Sequence, residues 1–170
     1  AIQMRLEMLI DDYENAMNRR IKLKQIIAEY TFTNDTVIEL MQLPGINFLT
    51  AFATIAAVGN VERFSTPSKL AAYGGFAPIL NTSGEEETRA QQKGGTGKPL
   101  DNEGRRDLKF FYAEAAQAVL NTCGDSTIGK WGWRMIYRGK PKNKVVCAIA
   151  RKLLCYAWHI LRHDPVPSRE

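Results

Sequence analysis

Leu43-Pro44-Gly45-Ile46-Asn47 separates two apolar segments, Val37 to Met41 and Phe48 to Val58. Pro44 cannot sit in a helix interior, and Gly45 takes positive φ without steric cost. Val37, Ile38 and Met41 before the run, and Leu49, Phe52, Ala53 and Ala56 after it, recur at helical spacing. The pattern predicts a helix-hairpin-helix at 37–58. The second helix would start just past Gly45, so its first N–H groups lack partners within the helix. Gly45, Ile46 and Asn47 are therefore candidate contacts to a nucleic-acid phosphate, held by backbone amides and the helix dipole. An ordinary helical hairpin closing a core is the competing reading. Asn47 stands where such motifs usually carry a second glycine, and Asn tolerates the left-handed region better than most residues.

Upstream, Ile2, Leu9, Ala16, Leu23 and Tyr30 recur every seven residues, and Leu6, Tyr13 and Ile27 form a second row. A seven-residue apolar period without Gly or Pro predicts a coiled-coil helix over 1–30, imperfect where Arg20 breaks the second row. The expected partner is another copy of the chain or a helix within it. The helix opens without a capping residue, which predicts that it begins further upstream.

Downstream, Thr66 and Pro67 read as N-cap and first helical residue of a short helix ending at Gly74-Gly75. From Phe76 to Gly104 regular structure runs out, and Lys93 and Lys98 lie in a glycine-rich stretch suited to anions. A further helix is expected from Asp101, burying Leu108, Phe111, Ala115 and Val119, with Arg105, Arg106 and Lys109 in its first turns. Cations there oppose the helix dipole, which suggests a bound anion, although a solvated face is the commoner reason. Asp125 to Gly139 and Pro141 to Arg162 read as the last two helices, the latter burying Val145, Ile149, Leu153, Ala157 and Leu161. Residues 31–164 thus read as one helical domain and 165–170 as a tail. The fold class expected is all-α.

The 170 residues carry a formal charge of +5 and are 45% apolar, enough for a core and mildly biased toward polyanions. The charge is unevenly spread. From Ser126 to His163 there is no acid, yet Lys130, Arg134, Arg138, Lys140, Lys142, Lys144, Arg151, Lys152 and Arg162 are present. Trp131, Trp133 and Tyr137 interleave with them, a pattern suited to phosphate backbones and unstacked bases. A plain basic surface over a tryptophan-containing core is the alternative.

Other classes are disfavoured. The first residues lack a basic region followed by an apolar run, so no secretory leader is expected, and no stretch has membrane-spanning length. Cys123, Cys147 and Cys155 are odd in number and form no CxxC pair, which points to free thiols in a reducing cytoplasm and no zinc site. His159 and His163 have an i, i+4 spacing, but only Asp164 could join them, so exposed histidines rather than a metal site are expected.

Four stretches together resemble the C-terminal domain of DEDD-class insertion-sequence transposases and the related Piv-type DNA invertases. They are Leu43 to Ile46 with the helix after it, Arg63-Phe64 through Lys69 to Pro78, Ser83-Gly84 five residues beyond Pro78, and Gly139 to Lys142 with Ala150 to Leu154. The resemblance covers residues 37 to about 162.

It implies a protein with an N-terminal RuvC-like nuclease domain, absent from this chain, whose acidic residues hold a divalent metal such as Mg. No cofactor is expected in this chain itself. The resemblance further implies a coiled coil that links the two domains and helps the protein form a homodimer. DNA is the implied partner, and a structured guide RNA serves some members. Ser83 matches the position of the nucleophilic serine. A serine hydroxyl needs activation by a base or metal, and no His lies near Ser83 in sequence; Lys93, Lys98, Arg105 and Arg106 are the candidates for charge neutralisation. Where relatives carry a basic stretch and Gly-Asn, this chain reads Pro99 to Arg106, and three consecutive glutamates follow Ser83. The expected function is the serine-bearing half of a DNA transposase or site-specific recombinase. The alternative is a non-catalytic helix-hairpin-helix module that binds nucleic acid and dimerises.

Overall fold

A computed structural model describes residues 2–77 and 104–164. The fold is all-α, with no strand among the described residues. Helix α1 spans Ile2–Phe32, α2 Asp35–Met41 and α3 Phe48–Val58. A 3-10 turn covers Val61–Arg63, then α4 Pro67–Tyr73, α5 Arg106–Asn121, α6 Thr127–Tyr137 and α7 Lys142–Leu161.

The ends of these helices follow from local chemistry. Asn34 caps α2 by accepting the Val37 amide at 3.2 Å. Asn47 caps α3 by accepting the Thr50 amide at 2.9 Å. Its backbone is extended, with φ −101°, so it does not use the left-handed region that its glycine-like position suggested. A side-chain oxygen in reach of a free helix amide is worth more than backbone permissiveness here. Gly45 does adopt positive φ, +80°. Thr66 and Pro67 open α4 as expected, although the Thr66 hydroxyl makes no capping bond.

The helix expected from Asp101 begins, among the described residues, at Arg106, with Arg105 in the N-cap position. Asp101 lies outside the described residues. For α6 the cap is Ser126 rather than Asp125: its Oγ accepts the Gly129 amide at 3.1 Å.

Helix α7 is the central element. It packs against α2, α4, α5 and α6. Val145, Val146, Ile149, Leu153, Leu154 and Ala157 are buried along its length, and Leu161 is half-buried. Burying each of these larger aliphatic side chains is worth roughly 1.5–3 kcal/mol. Helix α5 covers the other side with Leu108, Tyr112, Ala115, Ala116, Val119 and Leu120; Phe111 is only half-buried, and the i+4 row through Tyr112 carries the burial instead.

Three polar bonds tie the layers together. The Trp158 indole donates to the Phe64 carbonyl at 2.8 Å, the Trp133 indole to the Leu120 carbonyl at 3.2 Å, and the hydroxyls of Tyr112 and Thr54 share a bond of 3.0 Å. Each buried polar tip thereby finds a partner.

The start of α1 stands apart from this body. Only its end joins the fold, where Tyr30 meets the Phe52 ring edge-on at 5.7 Å and Thr31 is buried. Leu6, Leu9, Tyr13 and Leu23 are all more than half exposed. The helix extends to Phe32, two residues beyond the expected boundary.

Candidate nucleic-acid interface

The interface is built on α6. Its inner face is small: Ile128, Gly129 and Gly132 are buried. A Cβ on Gly132 would stand 2.7 Å from Ile149 Cδ1 and 2.9 Å from Leu120 Cδ2. Glycine there lets α6 sit close against α5 and α7. The larger residues of α6 are turned outward, with Lys130, Arg134, Tyr137 and Arg138 exposed and Trp131 and Trp133 half-buried at the flanks. Lys130, Arg134 and Arg138 fall at i, i+4 and i+8, on neighbouring turns of one face.

Beyond α6 the chain turns at Gly139 and enters α7 through Pro141. Lys140, Lys142 and Lys144 are exposed there, and Arg151 and Lys152 are half-buried further along α7. Among the described residues none of these eight cations forms a salt bridge. Arg162, by contrast, pairs with Glu62 at 3.7 Å and Asp164 at 3.2 Å and lies over the Trp158 ring. A run without acids whose cations form no salt bridge among the described residues keeps its positive field, which is what a phosphate chain requires.

Two hollows flank α6. One, of about 480 Å³, has Thr127, Ala148 and Cys155 as its small residues and Trp131, Arg134, Arg151 and Lys152 as its large ones. The Lys152 ammonium sits 4.7 Å from the Trp131 ring centroid and 5.9 Å from that of Tyr156. The second, of about 390 Å³, is lined by Gly124, Lys130, Trp133, Arg134 and Tyr137. In it the Trp133 and Tyr137 rings lie 5.8 Å apart, tilted by 32°.

A second cluster sits where the chain leaves and re-enters the described fold. The Arg105 amide donates to the Tyr73 carbonyl at 2.7 Å. Its guanidinium donates to both Asp107 oxygens at 3.0 Å, to the Tyr73 hydroxyl at 3.0 Å and to the Ala57 carbonyl at 3.3 Å. Arg63 lies over the rings of Phe64 and Tyr73. The Arg105 bond, with help from Arg63, holds the Tyr73 phenol below the ordinary tyrosine range against the opposing effect of burial. Burial pushes the Asp107 carboxyl up, but the Leu108 amide and Arg105 outweigh it and leave it lowered. A Cβ on Gly104 would collide with the Gly75 backbone, so these two glycines permit the close approach that closes the excursion between them.

The residues singled out from sequence thus fall into separate places. Lys130, Arg134, Arg138, Lys140, Lys142, Lys144, Arg151 and Lys152 share the α6–α7 face. Gly45, Ile46 and Asn47 lie elsewhere, at the α2–α3 turn, where Gly45 packs against α5 and Ile46 is buried. Asn47 itself takes the Thr50 amide, leaving those of Phe48 and Leu49 without a partner among the described residues. Arg105 is engaged by Asp107 and Tyr73, and Arg106 is exposed. Ser83, Lys93 and Lys98 lie outside the described residues.

Sequence reasoning missed Arg63 and Tyr73, whose pairing across ten residues leaves no periodic signal. It also treated the two tryptophans alike, whereas Trp131 and Trp133 open into different hollows. His159 was expected to be exposed; it is half-buried, edge-on to the Trp158 ring at 5.0 Å. The described residues contain no group of three or more His, Cys, Asp or Glu placed to hold a metal. No described helix is long and apolar enough to cross a membrane. Burial raises the thiol pKa of both Cys147 and Cys155, and all three cysteines are free.

Residues 38–126 match the family model described as Transposase IS116/IS110/IS902 family. A "Probable family 20 transposase" of Pseudomonas aeruginosa is 24% identical over 94% of this chain and 45% of its own length. The "Transposase for insertion sequence element IS1111A" of Coxiella burnetii is 24% identical over 89% of this chain and 37% of its own length. The "Pilin gene-inverting protein" of Moraxella bovis is 29% identical over 74% of this chain and 36% of its own length. The chain therefore spans less than half the length of these curated relatives.

Proposed function

The chain belongs to the IS116/IS110/IS902 transposase family, and on that footing we propose that it is the C-terminal, serine-bearing half of a DNA transposase or site-specific recombinase. The observation that carries the reading is the α6–α7 face: eight cations with no salt bridge among the described residues, interleaved with aromatic rings. Such a face grips phosphates by charge and leaves sequence choice to other elements. The named relatives are two transposases and a gene-inverting protein, and this agrees with DNA as partner.

In this reading Ser83 is the nucleophile. Its Oγ–P bond forms as one P–O bond of the DNA backbone breaks, and the serine proton passes in net to the departing strand-end oxygen, which leaves as a hydroxyl. A strand-end hydroxyl then attacks the phosphoserine, and the proton it loses returns to the released serine. Arg63 and Arg105 support the placement, because they stand at the root of the segment that carries Ser83. Ser83 is six residues beyond Ala77, a span of at most about 20 Å when fully extended. The described residues offer no donor set for a divalent metal. A metal required by the family's chemistry would be held outside them, by the nuclease domain that the resemblance implies.

The exposed seven-residue stripe of α1 supports homodimerisation through that helix, and a guide RNA is a second candidate for the basic face. The proposed setting is the cytoplasm. The α2–α3 hairpin fits a phosphate contact through the Phe48 and Leu49 amides.

The test is Ser83→Ala in the protein of full family length. Strand exchange should be abolished with DNA affinity changed less than about twofold, and the unsubstituted protein should yield a covalent DNA adduct that maps to Ser83. Recombination at the original rate by the variant leaves only the second reading, a hairpin module that binds nucleic acid and dimerises.

A further inference from the structure

We propose that the hollow between α6 and α7 takes the first of two successive unpaired nucleotides, its base stacked on Trp131 and its phosphate held by Arg134 and Arg151. This rests on reading the α6–α7 face as nucleic-acid-binding, and it names which form of nucleic acid that face is built for.

The aromatic lining of the hollow favours an unpaired base over a duplex. A paired strand keeps its bases stacked inside and offers only phosphates and groove edges. A tryptophan face set in a recess of about 480 Å³ between two helices can be reached only by a base that has left its stack. A face meant for phosphates alone would need the arginines and no ring. Here Ala148 and Cys155, two turns apart on α7, are small and leave the room that a base needs.

Lys152 has a defined part. Its ammonium covers Trp131 at 4.7 Å in the free protein. A cation–π contact between two half-buried groups is weaker than base–aromatic stacking, so an entering base displaces it. The flexible lysine stem then carries the charge to the incoming phosphate, and no cation is lost from the site.

Arg134 extends the subsite to a second position. It also lines the recess on the other flank of α6, beside the Trp133–Tyr137 pair, where Tyr137 is 81% exposed. Arg134 thus borders both aromatic recesses. Two successive unpaired bases straddle α6, one on Trp131 and one on Tyr137, with the phosphate between them on Arg134. The shared chemistry is a single strand, from opened DNA or from RNA.

The experiment uses the 170-residue chain and labelled oligo-dT, oligo-rU and a DNA duplex of equal length, read by fluorescence anisotropy. Trp131→Leu should weaken single-strand binding about tenfold, one lost stack, while Trp131→Phe restores most of it and duplex affinity stays within about twofold. Melting followed by circular dichroism shows that each variant folds. A preference for oligo-dT over oligo-rU assigns the strand to DNA, and the reverse to RNA. In the unsubstituted chain, oligo-dT or oligo-rU should quench tryptophan emission at saturation; no quenching by either overturns the subsite without any variant. Equal loss on strand and duplex, or no loss on either, also overturns it while leaving the basic face as a nucleic-acid surface. Competition by polyglutamate as strong as that by the oligonucleotides overturns it in favour of an acidic protein partner. Failure of the unsubstituted chain to bind any of the three probes overturns both this subsite and the broader reading of the face.

Discussion

Gly45, in the turn between α2 and α3, lies directly against the backbone carbonyl of Ala115 on α5. A Cβ at Gly45 would collide with that oxygen and stand 2.9 Å from Val119 Cγ2. The turn therefore does two things at once: it reverses the chain at φ +80° and seats the hairpin on the core helix. The obstacle is backbone, which cannot swing away as a side chain could. Gly45→Ala combines left-handed strain of roughly 1–2 kcal/mol with overpacking of a similar size. Urea unfolding should show a loss of at least about 2 kcal/mol, with the denaturant slope unchanged. A variant as stable as the parent would mean that the hairpin does not seat on α5.

The same turn marks what could be read from residues alone. Pro44 and Gly45 forced a chain reversal, and seven- and four-residue apolar spacings located α1 and the buried row of α7. Those signals are local, so they survive without knowledge of neighbours. The seat of Gly45 on Ala115 is separated by seventy residues and leaves no periodic trace. Tyr112 was hidden for a related reason: a tyrosine beside Phe110 and Phe111 offers three candidates for one buried position, and only the bond to Thr54 selects it. The basic stripe was visible as an acid-free run, but its division into two recesses depends on Gly132 drawing α6 inward, which spacing cannot reveal.

Tyr112 also predicts a pH dependence. Its hydroxyl is fully buried, and desolvation raises its pKa above the ordinary tyrosine value of 10.0, only partly offset by the Thr54 bond. The native state keeps that proton while the unfolded chain releases it above pH about 10, so stability present below that pH is lost as pH rises further. The expected slope is about 1.4 kcal/mol per pH unit from this one group. Tyr112→Phe should remove that part of the alkaline decline, at a cost near neutrality of about 1 kcal/mol for the lost hydrogen bond. Thermal melts between neutral and alkaline pH decide it, and an unchanged alkaline slope in the variant would exclude Tyr112 as the source.

Arg138 and Lys140 flank the turn between α6 and α7, are exposed, and form no salt bridge among the described residues. If both contact phosphates, each alanine substitution should flatten the dependence of log affinity on log salt by about 0.9 on duplex DNA and about 0.7 on a single strand. Neither should alter stability by more than about 0.5 kcal/mol. Arg162, already paired with Glu62 and Asp164, serves as the internal comparison: Arg162→Ala should leave the salt slope almost unchanged. Equal slopes across all three variants would place the phosphate track elsewhere.

The meeting of Gly75 with Gly104 has a consequence for how this protein can vary. Gly75 and Gly104 stand at nearly one point, so the chain between them has only to return to where it left. Lengthening such a detour costs merely about 0.6 kcal/mol for each doubling. Chain closure therefore tolerates insertions within residues 78–103, provided that both glycine posts stay fixed and the stretch carrying Ser83 is kept.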